Sequence, residues 1–295
     1  MIGLGEILSI ASALVWAVAV ILFRLAGASL GPFALNLFKN ALALVLLSIT
    51  LLLWPAAEMP DAPPLAWALM LISGIIGIGI GDTLYLGALN RIGASRLAVV
   101  GMLYSPFVIL LSMVFLAERL LGWQWAGLAL VLGGVAMVNR PDRRELQKVS
   151  ADWGGVLLGT AAVGAMAGGV VMAKPLLEVH EFLWVVTARL VGGTGYQLGV
   201  VAVRGRWQSL WAEYRAASHW PQIIAGSVCA TYLAMMLWLG GYKYTSASVA
   251  AILNETAAIF ILILAAMFLK DRLRMMQWAG AVLAMLGVVL VVMPE

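Results

Sequence analysis

Gln124-Trp125-Ala126-Gly127 returns as Gln277-Trp278-Ala279-Gly280, an offset of 153 (277 − 124). The same offset relates Ala94-Ser95 to Ala247-Ser248 and Arg119-Leu120 to Arg272-Leu273. Nearer the start of each copy the offset is 150: Arg24 answers to Lys174 (174 − 24) and Lys39 to Arg189 (189 − 39). The chain therefore consists of two like units, residues 1–140 and 153–295, joined by a charged linker at 141–152.

Each unit carries five apolar runs of membrane length. In the first these are Ile7–Phe23, Phe33–Trp54, Leu65–Gly87, Leu97–Leu116 and Trp123–Val138. In the second they are Val156–Ala173, Leu183–Val203, Ile223–Gly241, Val249–Leu269 and Met275–Met293. Barrel strands would be shorter and would alternate in polarity, and no such alternation is seen. An odd number of crossings turns the second unit upside down relative to the first. The predicted fold is an all-α membrane protein, with ten transmembrane helices as two inverted five-helix repeats around a central cavity. Repeats of this kind, with a site where they meet, suit alternating access.

Composition agrees with a lipid solvent. Hydrophobic residues make up 63% of the chain and charged residues 11%, with mean hydropathy +1.01. Soluble domains carry about 25% charged residues. The net charge of +4 reflects loop bias and argues against a nucleic-acid surface. A single cysteine, Cys229, excludes an intrachain disulfide framework. With Glu6 and no Lys or Arg before Arg24, the first run reads as a retained span rather than a secretory signal. Thirteen Lys and Arg fall in loops after odd spans and three in loops after even spans. Because basic loops stay cytoplasmic, both termini are expected outside the cytoplasm, in a multi-pass protein of a prokaryotic-type inner (plasma) membrane. The stretch 204–219 places Trp207, Leu210, Trp211 and Tyr214 at helical spacing, which suits either a short interfacial helix or an ordinary loop.

The order of motifs resembles the EamA-type transporters of the drug/metabolite transporter superfamily. In the first copy it runs Gly81-Asp82-Thr83-Leu84-Tyr85, Ala88-Leu89, Ile92-Gly93-Ala94-Ser95, Pro106, Leu116-Ala117-Glu118-Arg119, Gly127 and Gly133-Gly134. In the second it runs Ser246-Ala247-Ser248-Val249, Phe268-Leu269-Lys270-Asp271-Arg272, Gln277-Trp278 and Gly280. The resemblance covers almost the entire chain. It implies ten helices in a 5+5 inverted arrangement and, commonly, export of small metabolites. Two departures stand out. Pro106 in the fourth span is answered by Ile259, so the matching helix is expected to be less kinked, and Glu118 is answered by Asp271.

Ionisable groups inside spans are the strongest site candidates, since each costs roughly 2.5–3.5 kcal/mol at a helix centre. Four qualify: Lys39, Asp82, Arg189 and Glu255. Lys39 and Asp82 fall at similar depth on one side of the membrane, Arg189 and Glu255 at similar depth on the other. Two ion pairs are therefore expected, Lys39–Asp82 and Arg189–Glu255. Asp82 aligns with Met235 and Glu255 with Met102, so the polar groups break the symmetry of the repeats. Glu255 lies between Asn254 and Thr256, which could hydrogen-bond it or a ligand, and it is the candidate for substrate or proton binding. Trp16, Asn36, Asn40, Tyr85, Tyr104, Gln197, Tyr232 and Trp238 are further lining candidates. Tyr85 aligns with Trp238, and two rings facing a cavity would suit apolar or aromatic solutes. Structural roles compete with these: Lys39 and Arg189 can snorkel, Asp82 can brace a helix, and aromatic rings can anchor at the interface.

Gly77-x-x-x-Gly81, Gly164-x-x-x-Gly168 and Gly195-x-x-x-Gly199 permit close helix approach within the chain. Other matches lack their context. Gly27-Ala28-Ser29-Leu30-Gly31 has no strand-to-helix elbow, and His180 and His219 have no metal-ligand spacing. No cofactor or metal site is expected. The expected activity is secondary transport of a small organic metabolite, amino-acid-like or aromatic, by a monomer in the lipid bilayer. Export is the expected direction, and protons are a candidate coupling ion. The alternatives are a flippase of a lipid-linked substrate and a membrane-embedded enzyme.

Overall fold

A computed structural model describes residues 3–26, 29–54, 57–139, 152–268 and 275–293. Residues 141–151 of the expected linker, and the loop carrying Lys270, Asp271 and Arg272, lie outside the described residues. Among the described residues the regular structure is helical throughout. The helices are α1 (Leu4–Ala26), α2 (Pro32–Leu53), α3 (Pro64–Gly93), α4 (Arg96–Phe115), α5 (Gly122–Val138), α6 (Trp153–Val179), α7 (Phe182–Val203), α8 (Trp207–Ala216), α9 (Trp220–Tyr244), α10 (Ala247–Phe268) and α11 (Met275–Val292).

Eight of these, α1 to α4, α6 and α9 to α11, are long and apolar enough to cross a membrane. Helix α5 is apolar but has 17 residues. Helix α7 has 22 residues, but Arg189, Gln197 and four glycines make it the more polar helix. Chain punctuation follows elementary rules. Proline opens α2 and α3 in the first turn, where its missing N–H costs nothing. Gly93, at φ 75°, takes the left-handed conformation that separates α3 from α4. Helix α6 runs on through Lys174 and Pro175 to Val179, past the end expected at Ala173.

The two sequence copies pack by exchange. The first helix of each copy lies on the third and fourth helices of the other: α1 on α9 and α10, α6 on α3 and α4. The second helix of each lies on the third of the other, α2 on α9 and α7 on α3. The two fourth helices, α4 and α10, touch, as do the two fifth, α5 and α11.

The contact between α5 and α11 is reciprocal residue by residue. A Cβ on Gly134 would meet Ala284 N at 2.5 Å, and one on Gly280 would meet the Gly134 carbonyl at 2.6 Å. At the other end, a Cβ on Gly127 would meet the Gly287 carbonyl at 2.8 Å, and one on Gly287 the Gly127 carbonyl at 2.6 Å. As numbers rise along α5 they fall along α11, so the two helices run antiparallel. Gln124 donates to the Val291 carbonyl (3.5 Å) and Gln277 to the Val138 carbonyl (3.4 Å). Each of these bonds is the other shifted by 153.

Two irregularities recur with the same register. Helix α3 widens into π-helical turns at Ile75–Gly81, and α9 does so at Val228–Leu233. Helix α4 is interrupted at Met102–Leu103 and α10 at Glu255–Thr256. At both interruptions the amides reach back three residues rather than four: Met102 to Val99 and Leu103 to Val100, Glu255 to Ile252 and Thr256 to Leu253. The second copy, expected to be less kinked because Ile259 stands where the first has Pro106, carries the same kind of tightened turn. Tightened turns occur in both, so Pro106 is not their common cause.

Of the glycine pairs, a Cβ on Gly77 would stand 3.5 Å from Gly169 Cα and one on Gly81 would meet the Met166 side chain. A Cβ on Gly168, Gly195 or Gly199 would meet nothing within 4 Å, so the pair on α7 makes no close approach among the described residues.

Candidate functional site

The π-helical turns of α3 end at Gly81, and Asp82 is the next residue. Such turns displace the residues beyond them from the regular helical register, and they occur often at functional sites. Asp82 Oδ2 lies 3.8 Å from Lys39 Nζ of α2, forming the first expected ion pair, with side chains 22% and 18% exposed. Lys39 also donates to Asn40 Oδ1 (3.3 Å), and the Asn40 amide donates to Gln197 Oε1 of α7 (3.1 Å). Asn36 stands beside Asp82. Asn36, Asn40 and Gln197 are all buried. One polar chain thus links α3, α2 and α7 across the two sequence copies. The pair is expected to be coupled. Asp82→Asn leaves the Lys39 charge partly buried without its acid, and a double-mutant cycle with Lys39→Gln, read by unfolding in mixed micelles, should give a coupling of about 1–2 kcal/mol.

The second expected pair does not form. Arg189 is 1% exposed, and one guanidinium nitrogen donates to Ser73 Oγ (2.8 Å) and to the Gly169 carbonyl (2.6 Å). Glu255 instead has the Ser105 hydroxyl 2.5 Å from its Oε1. The sequence repeat supplies the reason. The acid facing Lys39 is Asp82, whose counterpart is Met235, so Arg189 meets no carboxylate at the equivalent place and settles among carbonyl and hydroxyl oxygens. Tyr104 lies within electrostatic range of both Arg189 and Glu255.

The neighbours of Glu255 act differently from expectation. The Asn254 amide donates to the Ala250 carbonyl (2.8 Å) and the Thr256 hydroxyl to the Leu253 carbonyl (2.7 Å), both within their own helix. Ser105, from α4, is the partner the sequence reading missed. Its hydroxyl is also 3.3 Å from the Ala251 carbonyl, so one hydrogen serves two acceptors.

The aromatic candidates separate. The Tyr104 and Tyr242 hydroxyls are 3.0 Å apart, and Trp238 stands edge-to-face on Tyr242 with ring centroids 5.3 Å apart. Tyr242 is fully buried and was not foreseen. Tyr232 meets Thr50 through their hydroxyls at 2.7 Å. Tyr85 packs against the cluster of Ala88, Ile92 and Leu97, and Trp238 against another. Trp16 is 41% exposed. Leu14, Val18 and Leu25 mark the outer face of α1, and Trp16 lies on the opposite face between buried Ser12 and Ala13. Its exposed ring therefore stands on the side of α1 that carries Ser9, Ser12 and Ala13.

Helix α7 carries unused hydrogen-bonding capacity. Arg189 Nε, Thr194 Oγ1 and Gln197 Nε2 are buried without a partner among the described residues, and at 100° per residue they spread over about 140°, within one half of the helix circumference. Buried polar groups are rarely left unpaired, and exceptions ask for a ligand, an ion or water.

At one end of the bundle the join between α9 and α10 is held by charge. Glu118 accepts from the amides of Ala247 (2.7 Å) and Ser248 (3.0 Å) and from the Ser248 hydroxyl (2.8 Å), capping α10 from the turn after α4. Ala117, at φ 55°, is the left-handed residue that turns Glu118 inward. Lys174 donates to the carbonyls of Tyr242 and Thr245, each at 3.0 Å, capping the end of α9. The Thr245 hydroxyl donates to Glu6 (2.6 Å). The sequence reading took Lys174 as a loop cation. Its match to Arg24 marked the position but not its burial.

Comparisons with known proteins agree with this architecture. Residues 3–140 and 153–293 each match the model of a family described as the EamA-like transporter family. A protein of Synechocystis sp. (strain ATCC 27184 / PCC 6803 / Kazusa), described as "Uncharacterized transporter sll0355", is 23% identical over 302 residues, spanning 96% of this chain and 88% of its own. A solved structure, described only as "Crystal structure of protein", superposes with TM-score 0.76 at 16% identity, covering 99% of this chain and 98% of that one. At that identity the likeness is one of fold.

Proposed function

The chain belongs to the EamA-like transporter family, and from that premise we propose a secondary transporter of ten membrane helices, moving a small organic metabolite by alternating access. Helices α5 and α7 supply the two crossings beyond the eight that length and hydropathy alone identify. The antiparallel α5–α11 seam, the exchange packing and the paired irregularities at one offset support two units, 1–140 and 153–295, threaded in opposite senses. Export follows from the family resemblance, and the Lys/Arg bias favours termini outside the cytoplasm.

One observation carries the solute site: Arg189, Thr194 and Gln197 present, from one half of the circumference of α7, buried polar atoms that have no partner among the described residues. With the Lys39–Asp82 pair and Glu255 nearby in the fold, a solute there meets both signs of charge. That combination suits an amino-acid-like zwitterion, and Trp16, Tyr104 and Trp238 suit an aromatic portion. The Glu118 and Lys174 caps tie one end of the bundle shut. Opening at that end requires Glu118 to release the first turn of α10, which makes these bonds the state-dependent contacts that a rocking mechanism needs.

The test is uptake into proteoliposomes from a metabolite panel, with and without an imposed pH gradient. Saturable flux of one solute class, weakened at least about ten-fold by Gln197→Ala, is the expected result. No flux of any small solute would sink transport as the function, and flux of only a lipid-linked substrate would reassign the protein as a flippase.

A further inference from the structure

Helix α7 buries Thr194 and Gln197 and leaves the side that carries Gly195 and Gly199 open. Gly195 and Gly199 have nothing within 4 Å of where a Cβ would stand, and both are exposed. Around Gly199, a groove of about 330 Å³ is lined by Tyr196, Val200, Val203 and Arg204. It is apolar along its length and ends at a cation. Arg206 is two residues further on. Both arginines are exposed, and neither takes part in an ion pair among the described residues.

Helix α8 shows the depth at which the groove ends. Its inner face is fixed to the start of α2: Leu210 is buried, the Tyr214 hydroxyl donates to the Ala34 carbonyl (3.0 Å), and Glu213 accepts from the Gly31 amide. Its outer face carries Trp207 and Trp211, one turn apart and 43% and 61% exposed. A short amphipathic helix with outward tryptophans and flanking arginines belongs at the membrane–water boundary. The groove therefore runs through the hydrocarbon region, and its cationic end sits at headgroup level.

We propose that this groove on α7 binds an anionic phospholipid, its phosphate held by Arg204 and Arg206 and one acyl chain lying over Gly199. Charge decides against a second copy of the chain as occupant. A two-fold contact through Gly195 and Gly199 would bring Arg204 against Arg204 with no acid between them, whereas a lipid phosphate complements both cations. Under the orientation given by the Lys/Arg bias this is the cytoplasmic leaflet, where anionic lipids attract basic residues near the surface. The lipid here is a bound ligand on the outside of the bundle, so the site stands whether or not the transport reading does.

The experiment compares phosphatidylglycerol, phosphatidylcholine and soluble glycerol phosphate, read as adducts by native mass spectrometry of the detergent-purified protein. Wild type should retain phosphatidylglycerol over the other two. Arg204→Gln/Arg206→Gln should weaken that retention roughly thirty-fold, in line with two surface cations. Gly199→Leu, whose Cβ meets nothing within 4 Å and whose side chain extends into the groove, should weaken it too while the lipid-free melting temperature holds. Equal retention of the two lipids, or no change in either variant, would overturn the site. Binding of glycerol phosphate as tight as the lipid would remove the groove from it. A dimer that Gly199→Leu converts to monomer would give the face to a second copy.

Discussion

Gly134→Leu is expected to cost about 3 kcal/mol, the upper end of ordinary overpacking, and to leave little monodisperse protein after extraction. A Cβ at this position would stand 2.5 Å from Ala284 N and 2.7 Å from Ala284 Cβ. Those neighbours are main chain and the stub of an alanine, so no rotamer change relieves the clash. The relief is separation of α5 from α11, the two helices that this close approach holds together. Lipid offers no hydrophobic drive to bring helices together, so their close packing carries the association. Because the seam is reciprocal, Gly280→Leu should behave like Gly134→Leu, and Gly127→Leu like Gly287→Leu. Gly195→Leu is the control: the same added side chain, on an open face, with no neighbour within 4 Å. Melting by fluorescence-detected size exclusion reads all five. A Gly134→Leu protein that melts with wild type would mean the seam is not formed, and the opposed threading of the two units would lose its main support.

That seam is also where sequence and structure speak most directly to each other. The offset of 153 in Gln124 and Gln277 carries two equivalent hydrogen bonds, and the offset in Gly127 and Gly280 carries two equivalent close approaches. Identity at a fixed offset was legible because the same contact is made twice. The π-helical turns were not. Ile75–Gly81 has three glycines, but Val228–Leu233 has none, so no shared composition announces the shared geometry. Depth along the membrane normal also reads from sequence, by counting residues from a span's end. Direction around the helix bundle does not. Lys39 and Asp82 agree in both and pair, whereas Arg189 and Glu255 were matched on depth alone and take other partners. The caps at Glu118 and Lys174 fell outside the apolar runs and looked like solvated loop charges. Only the packing of α9 and α10 against α4 and α6 gives them work.

Glu255→Gln is expected to lower pH-gradient-driven accumulation in proteoliposomes at least about ten-fold while solute exchange at equal pH stays within about three-fold of wild type. The two intramembrane acids differ in what completes them. Asp82 has Lys39 at 3.8 Å, so its charge is already balanced. Glu255 has no cation within 4 Å among the described residues, only the hydroxyl of Ser105. A part-buried carboxylate within a membrane span and without a cation is completed by a proton or by the cationic part of a solute. Ser105 can accommodate both states. It donates to Glu255 when the acid is charged. When the acid carries a proton, Ser105 accepts from it and turns its own hydrogen to the Ala251 carbonyl. Glu255 lies at the interruption of α10, where the amides already bond three residues back, so the exchange occurs at a turn rather than within a regular helix. Glutamine keeps the size and the hydrogen bond to Ser105 but cannot take up or release the proton. Asp82→Asn should do the reverse, keeping the dependence on the gradient while weakening solute binding. Gradient-driven accumulation left intact in Glu255→Gln would remove this residue as the proton carrier. Loss of equal-pH exchange together with gradient drive would make Glu255 a ligand for the solute's cation instead.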